Sequence, residues 1–187
     1  MPCKRVDDAW RLDPLSAKES MMTSIRFTHH TDFNAVAGMM TGFMAQHHRW
    51  QPDEFRSAPI GFTAAIFQTW LEQPNELHLT AEADDGIAGY IAATRWEGEG
   101  SLFTYGRRCV FVSSIVVADA HRRRGVGRSL FAAVEIWADE FKAEFVGLHV
   151  SAPNEAAKGF YAALGYDVTG EHRQKPLRRV TRMSGAS

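Results

Sequence analysis

The chain has 187 residues, 45% of them hydrophobic and 23% charged, which excludes collagen-like, low-complexity and disulfide-scaffold classes and fits a folded globular domain. Twenty-one Lys+Arg against 22 Asp+Glu leave a net charge of −1, which speaks against a general nucleic-acid or membrane-surface binder. Cys3 and Cys109 form no disulfide framework, and no apolar run approaches the ~18–20 residues of a membrane span, so free thiols in a cytoplasmic protein are expected.

Residues 1–22 mix charges around Pro14 and read as an N-terminal extension to one domain spanning 23–178, with 179–187 as a basic tail. Ile25 and Phe27 alternate with polar neighbours as a short strand. Thr31-Asp32 can then cap a helix carrying Phe33, Val36, Met40, Phe43, Met44 and His47 at helical spacing. Phe62, Ile66, Phe67, Trp70 and Leu71 define a second amphipathic helix that stops before Pro74. Leu77, Leu79 and Ala81 form a half-buried strand ending in the hairpin signal Asp84-Asp85-Gly86. The return strand is expected from Ile87 to Trp96, a Gly-rich connection from Glu97 to Gly106, and a third apolar strand from Cys109 to Val117.

The order then becomes helix, strand, helix. Val126, Leu130, Val134, Trp137 and Phe141 share a helical face, Phe145 to Val150 reads as a buried strand, and Asn154 to Leu164 as a helix closed by Gly165. Tyr166 to Thr169 is expected to begin a strand, with a further extended segment from His172 to Leu177. The pattern predicts an α/β (α+β mixed) domain with a central mixed, mostly antiparallel sheet flanked by helices.

The richest chemistry lies in His121-Arg122-Arg123-Arg124-Gly125-Val126-Gly127-Arg128, four arginines and no acid between an apolar strand and an amphipathic helix. Glycines let successive N–H groups converge, and the helix adds the positive end of its dipole, so the segment suits a phosphate; a solvated basic turn is the plain alternative. No Gly-Lys pair exists to make a P-loop. A dinucleotide fingerprint fails as well, with Leu130 in place of the third small residue and Ser151 in place of the acid.

Ser114 through Gly127 resembles the fourth strand and pyrophosphate loop, Gln/Arg-x-x-Gly-x-Gly/Ala, of the GNAT superfamily of acyl-CoA-dependent N-acyltransferases. Leu148-His149-Val150, Asn154 through Tyr161 and Leu164-Gly165-Tyr166 are similar to its fifth strand and next helix. The resemblance implies a sheet splayed between the fourth and fifth strands, with a pantetheine arm hydrogen bonding to Ile115, Val116 and Val117 as an added strand would. It implies that the backbone of Arg122, Arg123, Arg124, Gly125, Val126 and Gly127 cradles the pyrophosphate of acetyl-CoA (coenzyme A), with Arg128 adding charge. Asn154 would contact the cofactor arm and Lys158 the adenosine phosphates.

Acetyl transfer to an amine needs an unprotonated amine, a polarised carbonyl and a proton for the departing thiolate. Tyr161 takes the role of general acid by resemblance. Many family members carry Glu where Ser114 stands; a serine hydroxyl is no base at neutral pH, so Ser114 is expected to hold a water and the base is unassigned. His149 reads as a strand histidine satisfied by packing, His47 and His48 as a solvated helix end, and no metal site is expected. The expected function is acetyl-CoA-dependent N-acetyl transfer to a primary amine of a small molecule, peptide or protein, with no nucleic-acid or membrane partner. A catalytically silent acyl-CoA-binding regulatory module is the alternative, motivated by Ser114. Exposed sheet edges and apolar hairpins would suit a homodimer, though nothing in the chain specifies one.

Overall fold

A computed structural model of the protein describes residues 23–175, which divide into two compact units between Pro153 and Asn154. The N-terminal extension, residues 1–22, and the basic tail lie outside the described residues.

The first unit is built on one five-stranded sheet in the order β1-β2-β3-β4-β5, formed by Ser24–Phe27, Glu76–Ala83, Gly86–Gly100, Tyr105–Val117 and Phe145–Leu148. The first three junctions are antiparallel and β4/β5 is parallel, the two strands being joined through helix α3, Val126–Glu140. This is the mixed, mostly antiparallel sheet expected.

Side-chain alternation gives the sheet two apolar faces. On one, helices α1 (Phe33–Trp50) and α2 (Ala64–Leu71) cover Tyr90 and Ala92, with Val36 and Phe67 at the centre and Phe33, Met40, Phe62 and Val116 around them. On the other lies α3, whose Leu130, Phe131, Val134 and Trp137 are buried. Gly89 permits its close approach: a Cβ there would stand 3.1 Å from Val126 Cγ1 and 3.2 Å from Leu130 Cδ1. Arg95 stacks on the Trp137 ring, 4.0 Å from its centroid, and covers the far end of the same helix.

Polar groups fix the entry to α1. His30–Asp32 winds into a single 3-10 turn, and the Asp32 side chain makes no hydrogen bond as a cap of α1, in contrast to the expected use of Thr31-Asp32. Its carboxylate instead accepts from the His29 N–H at 2.8 Å and from both terminal nitrogens of Arg26 at 2.8 and 3.0 Å. Arg26 also donates to Glu82 at 2.9 Å, so one guanidinium ties β1, β2 and the start of α1. A second buried network links His78 to the Tyr90 hydroxyl at 2.7 Å and to Glu76 at 2.9 Å.

Three expectations are corrected. The Gly-rich stretch from Glu97 to Gly106 is mostly strand: β3 runs to Gly100 and β4 starts at Tyr105, with Gly100 at φ +84° and Ser101 N–H donating to the Thr104 carbonyl at 2.9 Å. Glu97 and Arg108 are paired across this arm at 2.7 Å. β5 ends at Leu148, so His149 and Val150 lie beyond it. Tyr166 to Thr169 is not a strand, because Gly165 turns left-handed at φ +89° and the Tyr166 N–H is taken by the Tyr161 carbonyl at 3.0 Å. Of the segment His172 to Leu177, residues 172–175 are in no strand and the rest lie outside the described residues.

Burial alone would raise the Asp32 carboxyl, but the hydrogen bonds from Arg26 and His29 outweigh it and hold it below the ordinary carboxylate range. Asp32→Asn is therefore expected to cost about 1–3 kcal/mol in urea unfolding at neutral pH. A depressed folded pKa contributes stability that is complete above the unfolded value of ~3.9 and is lost as pH falls through the folded value. The gap between parent and variant should close on acidification through that window; a gap of constant size down to about pH 3 would contradict this.

Candidate functional site

The backbone of β4 defines the site. Its pairing with β3 continues to Val117, but its pairing with β5 ends at Val112 opposite Leu148. At the point of departure Ala92 lies opposite Ser114 and Ala93 opposite Val112, which leaves Ser113 as the extra residue of a bulge; its hydroxyl donates to the Ala92 carbonyl at 3.2 Å. A bulge bends and twists its strand. From Ser113 to Val117, β4 has a hydrogen-bonded neighbour on one side and, among the described residues, no strand on the other. Ser114 and Val116 share the α1/α2 face with Ala92 and Tyr90, while Ile115 and Val117 pair with Ile91 and Gly89 on the α3 side.

β4 leads directly into the arginine-rich loop. Ala118 N–H donates to the Ala88 carbonyl at 2.9 Å, and Asp119–His121 forms a 3-10 turn whose buried His121 lies 3.1 Å from Asp85 at the β2–β3 turn. Arg122, itself exposed, links the loop back to the strand end, its Nε donating to the Val117 carbonyl at 3.2 Å and its Nη2 reaching Asp119 at 2.7 Å. Arg123 at φ +60° and Gly125 at φ +88° are left-handed, and Val126 is buried as the first residue of α3. Backbone that alternates hand in this way turns consecutive N–H groups toward one concavity, and the N–H groups of the first helical turn add to it because no intrahelical carbonyl reaches them. Arg123, Arg124 and Arg128 are exposed, and a Cβ placed on Gly125 would meet nothing within 4 Å. The structure thus brings together Ser114, Ile115–Val117 and Arg122–Arg128 on one continuous stretch.

Asn154, Lys158 and Tyr161 belong to the second unit, on helix α4, Glu155–Ala163. Asn154 caps that helix, its Oδ1 accepting from the Ala157 N–H at 3.1 Å. Lys158 pairs with Glu155 at 2.7 Å. The Tyr161 ring lies 5.4 Å from Phe160 and 6.2 Å from Tyr166. Burial pushes the Tyr161 phenol above its ordinary range, which keeps its proton in place at neutral pH.

His47 departs from its expected reading as a solvated helix end. It is half-buried in the last turn of α1, with Nδ1 3.1 Å from the Ser151 hydroxyl and the rings of Phe43, Phe55 and Trp50 at 4.3, 4.8 and 5.3 Å. Burial pushes the imidazole below its ordinary range against the opposing pull of Glu54. The local spacing Phe43, His47, Trp50 puts the three rings on one helix face and was visible in sequence; the partners Phe55 and Ser151 were not. His149, expected as a packed strand histidine, is instead exposed beyond the end of β5, edge-on to Phe111 at 4.9 Å. Among the described residues no group of three or more His, Cys, Asp or Glu is placed to hold a metal ion.

The handedness of the loop is directly testable. Gly125→Ala is expected to lower stability by about 1–2 kcal/mol from backbone strain alone, since the added methyl has open space around it. Gly42→Ala, inside α1 with equally open surroundings, should raise stability by about 0.5–1 kcal/mol. Urea unfolding of both variants checks the opposed signs.

The profile of the Acetyltransferase (GNAT) family matches residues 36–166. The catalytic subunit of the N-terminal acetyltransferase A complex of Arabidopsis thaliana is 28% identical over 100 residues, 52% of this chain and 49% of that protein. The uncharacterized N-acetyltransferase YobR of Bacillus subtilis (strain 168) is 34% identical over 67 residues, 36% of this chain and 27% of that protein. The chain therefore spans about half the length of the first relative and about a quarter of the second. Among solved structures, a mutant of the BH1408 protein from Bacillus halodurans is similar with a TM-score of 0.78 at 24% identity, covering 82% of this chain and 99% of that one. Aminoglycoside N-acetyltransferase AAC(6')-Iy in complex with CoA is similar with a TM-score of 0.64 at 20% identity, covering 87% and 99%. These two likenesses carry the fold. Because the profile runs over more than half of the chain, from within α1 to just past α4, the chain belongs to the Acetyltransferase (GNAT) family.

Proposed function

We propose that the protein is an acetyl-CoA-dependent N-acetyltransferase that passes the acetyl group directly to a primary amine of a small molecule, peptide or protein in the cytoplasm. The observation that carries this reading is the β4 edge with no strand beside it, among the described residues, beyond Val112, continuous with an arginine-rich loop that holds two left-handed residues, Arg123 and Gly125, at the start of α3. An extended ligand with amide groups at one end and a pyrophosphate at the other fits that sequence of partners. In this reading Ile115, Val116 and Val117 bond the pantetheine amides, and Arg122, Arg123, Arg124, Gly125, Val126 and Gly127 hold the pyrophosphate with added charge from Arg128. Asn154 serves the cofactor arm and Lys158 the adenosine phosphates.

Tyr161 is the proposed proton donor to the departing thiolate. An ordinary phenol at ~10 is a weaker acid than a thiol at ~8.5, and burial weakens it further, so the transfer is uphill by at least about 2 kcal/mol. A turnover of ~10 per second corresponds to a barrier of about 16 kcal/mol, which leaves room for that cost. Ser114, with no basic function at neutral pH, is assigned to water positioning. An amine acceptor agrees in class with AAC(6')-Iy, whose bisubstrate complex carries an acetylneamine portion, and with an aminoglycoside acetyltransferase complexed with sisomicin.

Coenzyme A at ~100 times its dissociation constant is expected to stabilise the protein by ~2.7 kcal/mol, read as a rise in melting temperature. Gly125→Val and Gly127→Val should abolish the rise by blocking approach to the loop backbone; a full shift in both variants would contradict the assignment. Tyr161→Phe is expected to lower turnover by ~10²–10⁴-fold while leaving the CoA-dependent shift intact. Turnover within a factor of about two of the parent would remove Tyr161 from the mechanism.

A further inference from the structure

We propose that His47, oriented by Ser151, takes the proton that the acceptor amine gives up during acetyl transfer. This rests on the acetyltransferase reading above and fills the role that Ser114 cannot. As the amine nitrogen forms its bond to the acetyl carbonyl carbon, it becomes acidic and one N–H proton passes to the imidazole. The C–S bond then breaks, sulfur keeps the electron pair and is protonated by the general acid, and the imidazolium releases its proton to solvent. The products are the acetamide and free coenzyme A.

The position follows from the sheet. Helix α1 packs against β3 and β4, and its last turn is tied by the His47–Ser151 contact of 3.1 Å to the segment that follows β5. Ser151 lies shortly after Leu148, the last residue of β5 paired with β4. The imidazole is thus tied to the segment that follows β5, three residues past the last pair between β4 and β5. With Nδ1–H donating to the Ser151 Oγ, the lone pair of Nε2 is the proton acceptor.

The surroundings suit a base that is neutral at rest. Phe43, Trp50 and Phe55 surround the ring, and the charged group acting on it is Glu54, from the turn after α1, which favours the imidazolium once formed. The segment after β5 presents the uncharged Ser151. On α1 itself His48 is bonded through Nδ1 to the Phe55 carbonyl at 2.7 Å, and Arg49 donates to Gln46 at 2.6 Å. The other buried histidines are otherwise engaged. His78 has both ring nitrogens bonded, to Tyr90 and Glu76, and His121 is paired with Asp85.

The test measures thiol release from acetyl-CoA with ethanolamine, putrescine, phenethylamine and sisomicin, across pH 5 to 9. With an alkylamine that attacks as the free base, log kcat/KM of the parent should rise with slope about 1 and steepen to about 2 below the imidazole's pKa, which burial sets under ~6.5. His47→Gln should lower kcat by ~10²–10⁴-fold, lose the steepening and keep the CoA-dependent thermal shift. Ser151→Ala, which leaves the ring stack in place, should move the bend to lower pH because the imidazolium loses a hydrogen-bond acceptor; it keeps the proposal testable if His47→Gln does not fold. A His47→Gln enzyme within about threefold of the parent with its bend retained, or an unmoved bend in Ser151→Ala, would overturn the role of His47 and leave the acetyltransferase reading standing. A parent that binds coenzyme A but releases no thiol with any of the four amines would overturn that reading, and this proposal with it.

Discussion

A strand that leaves its neighbour must find other partners for one row of its N–H and C=O groups, and β4 leaves β5 after Val112. It does so without ending, because its other edge remains paired with β3 as far as Val117. The bulge at Ser113 supplies the change of direction at the point of departure. What remains is an extended backbone, paired with β3 on one side and, among the described residues, with no strand on the other, delivered into a loop rich in arginine. The chemistry proposed for the protein depends on this arrangement, since no side chain of Ile115, Val116 or Val117 carries a polar group of its own.

The rest of the first unit keeps that edge and loop in place from both faces. On one, α3 is pressed onto the sheet at Gly89, where a side chain would crowd Val126 and Leu130 in the first turns of that helix. His121, held by Asp85, and Arg122, held by the Val117 carbonyl and Asp119, stop the loop from swinging away from the strand that feeds it. The first arginine of the run is thus tied back to the strand end while remaining, like Arg123, Arg124 and Arg128, exposed. On the opposite face, Arg26 and Asp32 tie the start of α1 to β1, and the His47–Ser151 contact ties its last turn to the segment after β5. A helix fixed at both ends across a sheet positions its last turn far better than propensity alone, which for glycine- and threonine-containing α1 is modest.

Much of this was legible in the chain. Helical spacing located α1, α2 and α3, and the Asp84-Asp85-Gly86 turn located the β2–β3 hairpin, because those signals are local. The arginine- and glycine-rich turn before α3 was legible for the same reason: glycine placement, arginine density and a following amphipathic helix all sit within one short stretch. The β3–β4 arm was misread because glycines at 98, 100 and 106 look like a loop until cross-strand pairing, including Glu97 with Arg108, is known. The missing strand after Gly165 is a similar case, since Tyr166 and Val168 carry strand propensity but the helix end claims the Tyr166 N–H. His47 was misjudged because its decisive partner, Ser151, is distant in sequence, and no pattern in a single chain brings the two together. The end of β4/β5 pairing was likewise expected only from family resemblance, since a register between parallel strands leaves no mark in either strand's own sequence.

The open edge of β4 and the loop serve one function only if a single ligand fills both. Backbone amide hydrogen exchange, followed residue by residue with and without saturating coenzyme A, reports this directly. The predicted result is slowed exchange in two blocks, within 113–117 and within 122–128, with β1, β2 and the β3–β4 arm unchanged. Exchange that is unaltered in both blocks, or slowed only in the loop with the β4 edge untouched, would contradict the claim that the parting of β4 from β5 is what the ligand completes.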